Sequence, residues 1–124
     1  MARRFVIQAH FVGGGRHFDL MIEDAAALAT WRLEHPPALL APDAAWPAQR
    51  LPDHRRAYLG YEGPVRGGRG FVRIADAGTC RVLASSLDRW IVLLEGRLTR
   101  GRFELTRSAG TLWRIVARPS GREG

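Results

Sequence analysis

The chain has 124 residues, of which 46% are hydrophobic and 25% charged. A chain of that length holds one domain and buries roughly two-thirds of its unfolded surface, so folding needs no metal or disulfide staple. No stretch approaches the ~20 apolar residues of a membrane span, and residues 1–5 run into a strand pattern instead of a signal peptide. The single Cys80 excludes an internal disulfide, and the expectation is a cytoplasmic protein without membrane contact, in which Cys80 is a small buried hydrophobe.

The net charge is +7 and all 19 basic residues are Arg. Absence of Lys is explained mostly by a coding bias towards Arg. The positive balance itself favours a polyanionic partner, because neutralising phosphates releases counterions and steers encounter. Arg adds a planar fork of donors suited to phosphate oxygens.

The pattern is β nearly throughout. Arg4–His10 alternates, with Phe5, Ile7 and Ala9 on one face and Val6, Gln8 and His10 on the other. Phe11–Arg16 contains Gly13-Gly14-Gly15, a hairpin loop in which positive φ is cheap. His17–Glu23 alternates again, setting Phe18, Leu20 and Ile22 against His17, Asp19, Met21 and Glu23. A third strand is expected over Leu28–Leu33. Residues 34–52 hold five of the seven prolines and read as a long irregular loop, packed onto the body through Trp46 and the run 38–41. Residues 53–61 fit either a helical turn or an irregular strand. Gly67–Gly70 is a turn, and strands follow at about 71–76, 79–85, 89–94, 98–106 and 111–118. Many short strands with regular turn signals predict a single all-β domain over 1–118, a barrel or sandwich, with 119–124 as a tail.

An antiparallel pairing of the first two strands brings His10 and His17 together across the loop, and His17 and Asp19 share a face. Gln8, His10, His17, Asp19 and Glu23 then line one polar face. Two imidazoles and a carboxylate suit Mn, Zn, Fe or Co, and three protein ligands leave room for water and substrate. A solvated polar sheet face fits the same spacing. A second cluster is Asp53-His54-Arg55-Arg56 with Tyr58 and Tyr61. His54 titrates nearest neutrality and suits a general acid, and Arg55 or Arg56 suits a phosphate. The same residues also fit a surface turn in which Asp53 caps a short helix. His35, beside Pro36, is either a loop residue or a substrate contact.

Taken in order, these segments resemble the 3′-phosphoesterase domain of bacterial DNA ligase D. Phe5-Val6-Ile7-Gln8-x-His10, His17-Phe18-Asp19-Leu20-Met21-Ile22-Glu23 and Thr30-Trp31 follow its opening. Asp53-His54, Tyr58 and Tyr61-Glu62-Gly63 follow its central motif. Gly67-Gly68-Arg69-Gly70, Asp76-x-Gly78 and Leu94-x-Gly96 to Trp113 follow its closing strands. The resemblance covers nearly the whole chain. It implies a compact β-barrel with a polar concave face that binds manganese, with zinc or cobalt as substitutes, and trims 3′-phosphates or 3′-ribonucleotides from DNA or RNA ends. His10, His17 and Asp19 would hold the metal, with Gln8 and Glu23 supporting them. His54 would contact the transition state, and Tyr58 would share the active site.

This sequence departs from the pattern at several positions. Met21 stands where the family has an Arg that contacts phosphate; losing such a contact costs on the order of 2–4 kcal/mol of transition-state stabilisation. Arg32, Arg55 or Arg73 could substitute. The loop between the first two histidines is one residue longer, a family Lys aligns with His35, and an upstream basic residue is matched loosely by Arg50. The expectation is a monomeric, stand-alone member, with any ligase or polymerase on a separate chain. Two other readings compete. One is a non-catalytic end-binding module that keeps the metal site, favoured by Met21. The other is a small iron oxygenase using His17, Asp19 and His54 as a facial triad.

Overall fold

The computed structural model describes residues 3–118; the segment 119–124, expected as a tail, lies outside the described residues. Nine strands form one antiparallel sheet: β1 (Arg3–Val12), β2 (Gly15–Asp24), β3 (Ala27–Leu33), β4 (Ala45–Arg55), β5 (Gly63–Pro64), β6 (Phe71–Ser85), β7 (Arg89–Gly96), β8 (Arg100–Ala109) and β9 (Leu112–Arg118). Their order is β1-β2-β3-β4-β9-β8-β7-β6, and pairing of β1 with β6 closes an eight-stranded barrel, with β5 added to the outer edge of β6. The expected all-β barrel is therefore the fold. No helix among the described residues is long and apolar enough to cross a membrane.

Strand alternation decides what fills the barrel. Phe5, Ile7 and Ala9 of β1 join Phe18, Leu20 and Ile22 of β2 inside, with Trp31, Trp90, Phe103, Leu105, Trp113 and Ile115 from the other strands. Eight strands leave an interior just wide enough for such side chains, so the barrel is a packed core. Cys80 is buried there as expected, and burial pushes its thiol up to about 11. Arg50 lies over the rings of Trp31, Trp113 and Trp90, at 4.4, 5.5 and 5.8 Å from their centroids. Its aliphatic stem covers the core while the guanidinium meets the aromatic faces.

The β1–β2 hairpin turns on Gly13 and Gly14, at φ 59° and 82°. A two-residue turn with positive φ at both centres matches the twist of the strands it joins, and it sets the register His10↔His17, Gln8↔Asp19 and Val6↔Met21.

The proline-rich stretch is corrected by the structure. Only residues 34–44 are irregular, apart from a short 3-10 turn at Pro37–Leu39, and Ala45–Arg55 is strand β4. Its prolines are tolerated because each half of β4 is paired on one flank: residues 45–49 to β9, and residues 49–55 to β3. Pro47 thus occupies a strand with an unpaired side, and Pro52 sits where the β3–β4 register shifts. Residues 53–61 combine both readings: β4 runs to Arg55 and gives way to a 3-10 turn at Arg56–Gly60. The segments expected at 71–76 and 79–85 are one strand, β6, which bends past β1 at the irregularity opposite Ile7/Gln8.

Candidate metal centre

The outer face of β1 and β2 does not face open solvent. After β4 the chain folds back over it through the 3-10 turn, β5 and the Arg66–Gly70 turn. This cover is anchored in two ways. Val6, Met21 and Leu28 form a small apolar cluster on the barrel's outer wall, against which Tyr58, Leu59 and Ile74 pack. Beside it, the buried amide of Gln8 donates to the carbonyls of Tyr58 and Tyr61, at 3.1 and 3.0 Å. Met21 is fully buried. An Arg at that position would place its charge under the apolar cover, which explains why the chain carries a thioether there.

Between wall and cover lies a cleft of about 560 Å³, lined by His10, His17, Asp19, Arg32, His54, Arg55, Tyr58 and Arg69 among others. His10, His17 and Asp19 converge in it, each offering a ligand atom within 4.8 Å of the others. His10 Nδ1 is 2.9 Å from His17 Nε2, the rings meeting edge to face. His10 Nε2 lies 2.7 Å from the Arg69 carbonyl, so its N–H donates there and the Nδ1 lone pair faces the cluster. Asp19 is only 3% exposed. Arg32 Nε donates to its Oδ1 at 3.2 Å, while Oδ2 stands 3.9 Å from His17 Nε2.

Burial pushes His17 below the ordinary histidine range. Asp19 opposes this, and the positive Arg32 and the neighbouring His10 reinforce it. The ring is therefore neutral at pH 7, the form a metal requires. Atoms bound to one ion at ~2.1 Å stand roughly 3.0–3.4 Å apart. The His10–His17 nitrogens already stand 2.9 Å apart and the His17–Asp19 pair 3.9 Å apart, close to that spacing, and the nitrogen and oxygen set suits Mn²⁺, Zn²⁺ or Co²⁺. His17 must then exchange its Nε2–H for Nδ1–H, a tautomer change that releases no net proton.

The remaining site residues divide. His54 and Tyr58 line the same cleft, their rings 5.8 Å apart and steeply inclined. His54 Nδ1 donates to the Pro52 carbonyl at 3.0 Å, which leaves Nε2 available to take or give a proton. The iron-oxygenase reading needs His54 beside His17 and Asp19, yet the group that converges contains His10 in its place. Arg55 is exposed at the cleft rim. Arg32 lies inside, with its Nε committed to Asp19.

Gln8, the register partner of Asp19, holds the cover in place through its two hydrogen bonds. Glu23 sits two pairs further along β2, where Arg4 and Arg56 bind its carboxylate at 2.8 Å each. The hydrogen bond from Arg4 holds it below the usual carboxylate range, and its two ion pairs staple β1 and the cover to β2. His35 is exposed and packs against Trp46, and Arg50 caps the core; neither lines the cleft. Arg73, weighed as a stand-in for the missing Arg, does not line it either.

Arg69 is the residue that sequence reasoning passed over. It occupies the Gly-rich turn, where Gly67, Gly68 and Gly70 all have positive φ. A Cβ on Gly70 would strike the Phe11 carbonyl. That close approach brings the Arg69 carbonyl onto His10 and makes Arg69 part of the cleft lining, with its Nε donating to the Arg66 carbonyl at 2.8 Å. An Arg between three glycines is a usable signal, since glycines let the backbone approach a site closely.

No family model matches this chain, and no curated protein matches it in sequence.

Proposed function

We propose that this protein is a metal-dependent phosphoesterase that removes phosphate or a terminal ribonucleotide from DNA or RNA 3′ ends. The observation that carries the reading is one cleft that gathers a His-His-Asp donor set, a histidine with a free ring nitrogen, and arginines from three different segments. Two further features support it: the +7 charge and the chain-long resemblance to the ligase D phosphoesterase domain. On this reading the protein works in DNA repair as a monomer, upstream of a ligase or polymerase on a separate chain.

His10, His17 and Asp19 would hold the ion, with manganese the best fit to the resemblance. When bound, it supplies charge stabilisation at a phosphoryl oxygen and an acidified water. Asp19 presents Oδ2 because Arg32 occupies Oδ1. The Arg32 guanidinium keeps its two Nη groups for a phosphate oxygen, and with Arg69 and Arg55 it supplies the positive charge that Met21 does not. His54, its Nδ1–H held by the Pro52 carbonyl, would act as an imidazolium: as water attacks phosphorus and the bond to the 3′ oxygen breaks, its Nε2 proton passes to that leaving oxygen. Tyr58 limits how deeply a substrate enters beside it.

The direct test is incubation with a 3′-phosphorylated primer-template and manganese. Release of phosphate, lost in His54→Ala while manganese still binds, is the expected result. Unchanged substrate at stoichiometric enzyme would overturn the catalytic reading. Met21 in place of the expected Arg supports a second reading, a module that binds metal and 3′ ends without efficient chemistry; it predicts tight end binding with no phosphate release.

A further inference from the structure

Beyond the cleft, on the far side of the Arg66–Gly70 turn, lies a shallow recess of about 500 Å³. Its walls are the β1–β2 hairpin tip, Arg16, Gly68, Gly70, Phe11 and Phe71. Phe11 and Phe71 are register partners across β1 and β6, and their rings stack with centroids 5.0 Å apart and planes inclined by 23°. Phe71 is still 43% exposed. A large aromatic ring held flat by a second ring, with one side open, is a surface on which a planar group can stack.

The surroundings say what that group is. The hairpin tip is built from Gly13, Gly14 and Gly15, and at Gly13 and Gly14 the space a side chain would fill is open. A planar group can therefore approach Phe71 closely. Arg16 borders the recess and lies over the Phe18 ring at 5.5 Å, with no carboxylate partner among the described residues. Arg73 shares the strand face of Phe71, two residues along β6, and is exposed. No acidic residue lines the recess. A protein partner's apolar side chain would leave these arginines unmatched, whereas a base with its phosphates satisfies both ring and charge.

We propose that Phe71, backed by Phe11, is a stacking platform for one base of a single-stranded nucleic acid, whose flanking phosphates are held by Arg16 and Arg73. The recess and the cleft share Val12 as a lining residue and meet at the Arg66–Gly70 turn. A strand lying across that turn places its stacked base a short distance from the end that enters the cleft. This inference rests on the proposed action on nucleic-acid 3′ ends and adds a base-binding subsite to it.

The test is fluorescence anisotropy with a labelled 12-nucleotide DNA carrying a 3′-phosphate, compared with the same strand bearing one abasic position at successive places near that end. Wild-type protein is expected to lose about tenfold in affinity at one abasic position, in line with typical base–aromatic stacking. Phe71→Ala should weaken binding of the intact strand by the same factor and abolish the abasic effect. Phe71→Trp should retain it, and Phe71→Leu, equally apolar but without a π face, should not. Equal binding by Phe71→Leu and Phe71→Trp, or an abasic effect that persists in Phe71→Ala, overturns the platform. In either of those cases the proposed function is decided separately, by release of phosphate from the 3′-phosphorylated primer-template. Failure of the wild type to bind any of these single strands also overturns the platform, while phosphate release from the primer-template would still uphold the proposed function.

Discussion

Two aspartates are buried in this barrel, and they are buried for opposite purposes. Asp76 of β6 accepts hydrogen bonds from the backbone N–H groups of Ala77, Arg97, Leu98 and Thr99, at 2.7–3.1 Å. Its lone pairs are filled by the β7–β8 turn it organises. Burial alone would raise its carboxyl. The summed hydrogen bonds, led by those from Thr99, outweigh burial and hold it below the usual carboxylate range. Asp19 of β2 is no more exposed, but it receives one hydrogen bond, from Arg32, and directs its other oxygen towards two imidazoles. A saturated buried carboxylate is a structural clamp; one left half-filled beside two imidazole rings keeps an oxygen free for the cation of the proposed function.

The largest effect that separates the two should come from Asp19→Asn. Manganese affinity, measured by calorimetry, is expected to fall by more than ~100-fold, beyond the ~10–100-fold typical of changing groups that only orient ligands. The urea midpoint should stay close to wild type. A variant that binds manganese normally would remove Asp19 from the ligand set.

Asp76→Asn should do the reverse. Its amide would turn a donor towards backbone donors, and urea denaturation should show a loss of about 3 kcal/mol. A loss below about 1 kcal/mol would mean that the β7–β8 turn holds itself. Arg32→Gln should have a smaller effect than either: roughly 10-fold weaker manganese binding, because Asp19 loses its orienting donor but keeps its charge.

Acid should pull the two carboxylate regions apart. His17 is depressed by burial below its ordinary value of 6.5. A depressed group binds fewer protons folded than unfolded, so its contribution is complete above pH 6.5 and is lost as pH falls through the folded value. Metal affinity should fall over that same range. Asp76 is depressed below 3.8, so its clamp persists until the medium is more acidic still. Titration followed by metal binding and by near-ultraviolet circular dichroism should therefore show the site failing before the barrel. Coincident transitions would mean that the cleft and the barrel are one acid-labile unit.

Much of the barrel was legible from residue order. Alternation in β1 and β2 put Phe5, Ile7, Phe18 and Leu20 on one face and Gln8, His10, His17 and Asp19 on the other, and the diglycine turn set the pairing that joins the histidines. The prolines misled because a strand paired on a single flank tolerates Pro, and whether a flank is paired is a property of the sheet, not of the segment. Glu23 misled for a related reason: it shares the parity of Asp19, but two arginines distant in sequence claim it.

What the sequence determined by itself is the chemistry and facing of the His10, His17 and Asp19 set, because period-two alternation and a two-residue turn are local. What only the tertiary structure decided is the cleft. Its walls come from segments some 50 residues apart, joined by the Gln8 amide and the apolar patch around Met21. That packing also selected Arg69 and set aside Arg50, His35 and Arg73. Which of the 19 arginines meets the site depends on where the cover folds back, and long-range packing leaves no periodicity in the chain to read.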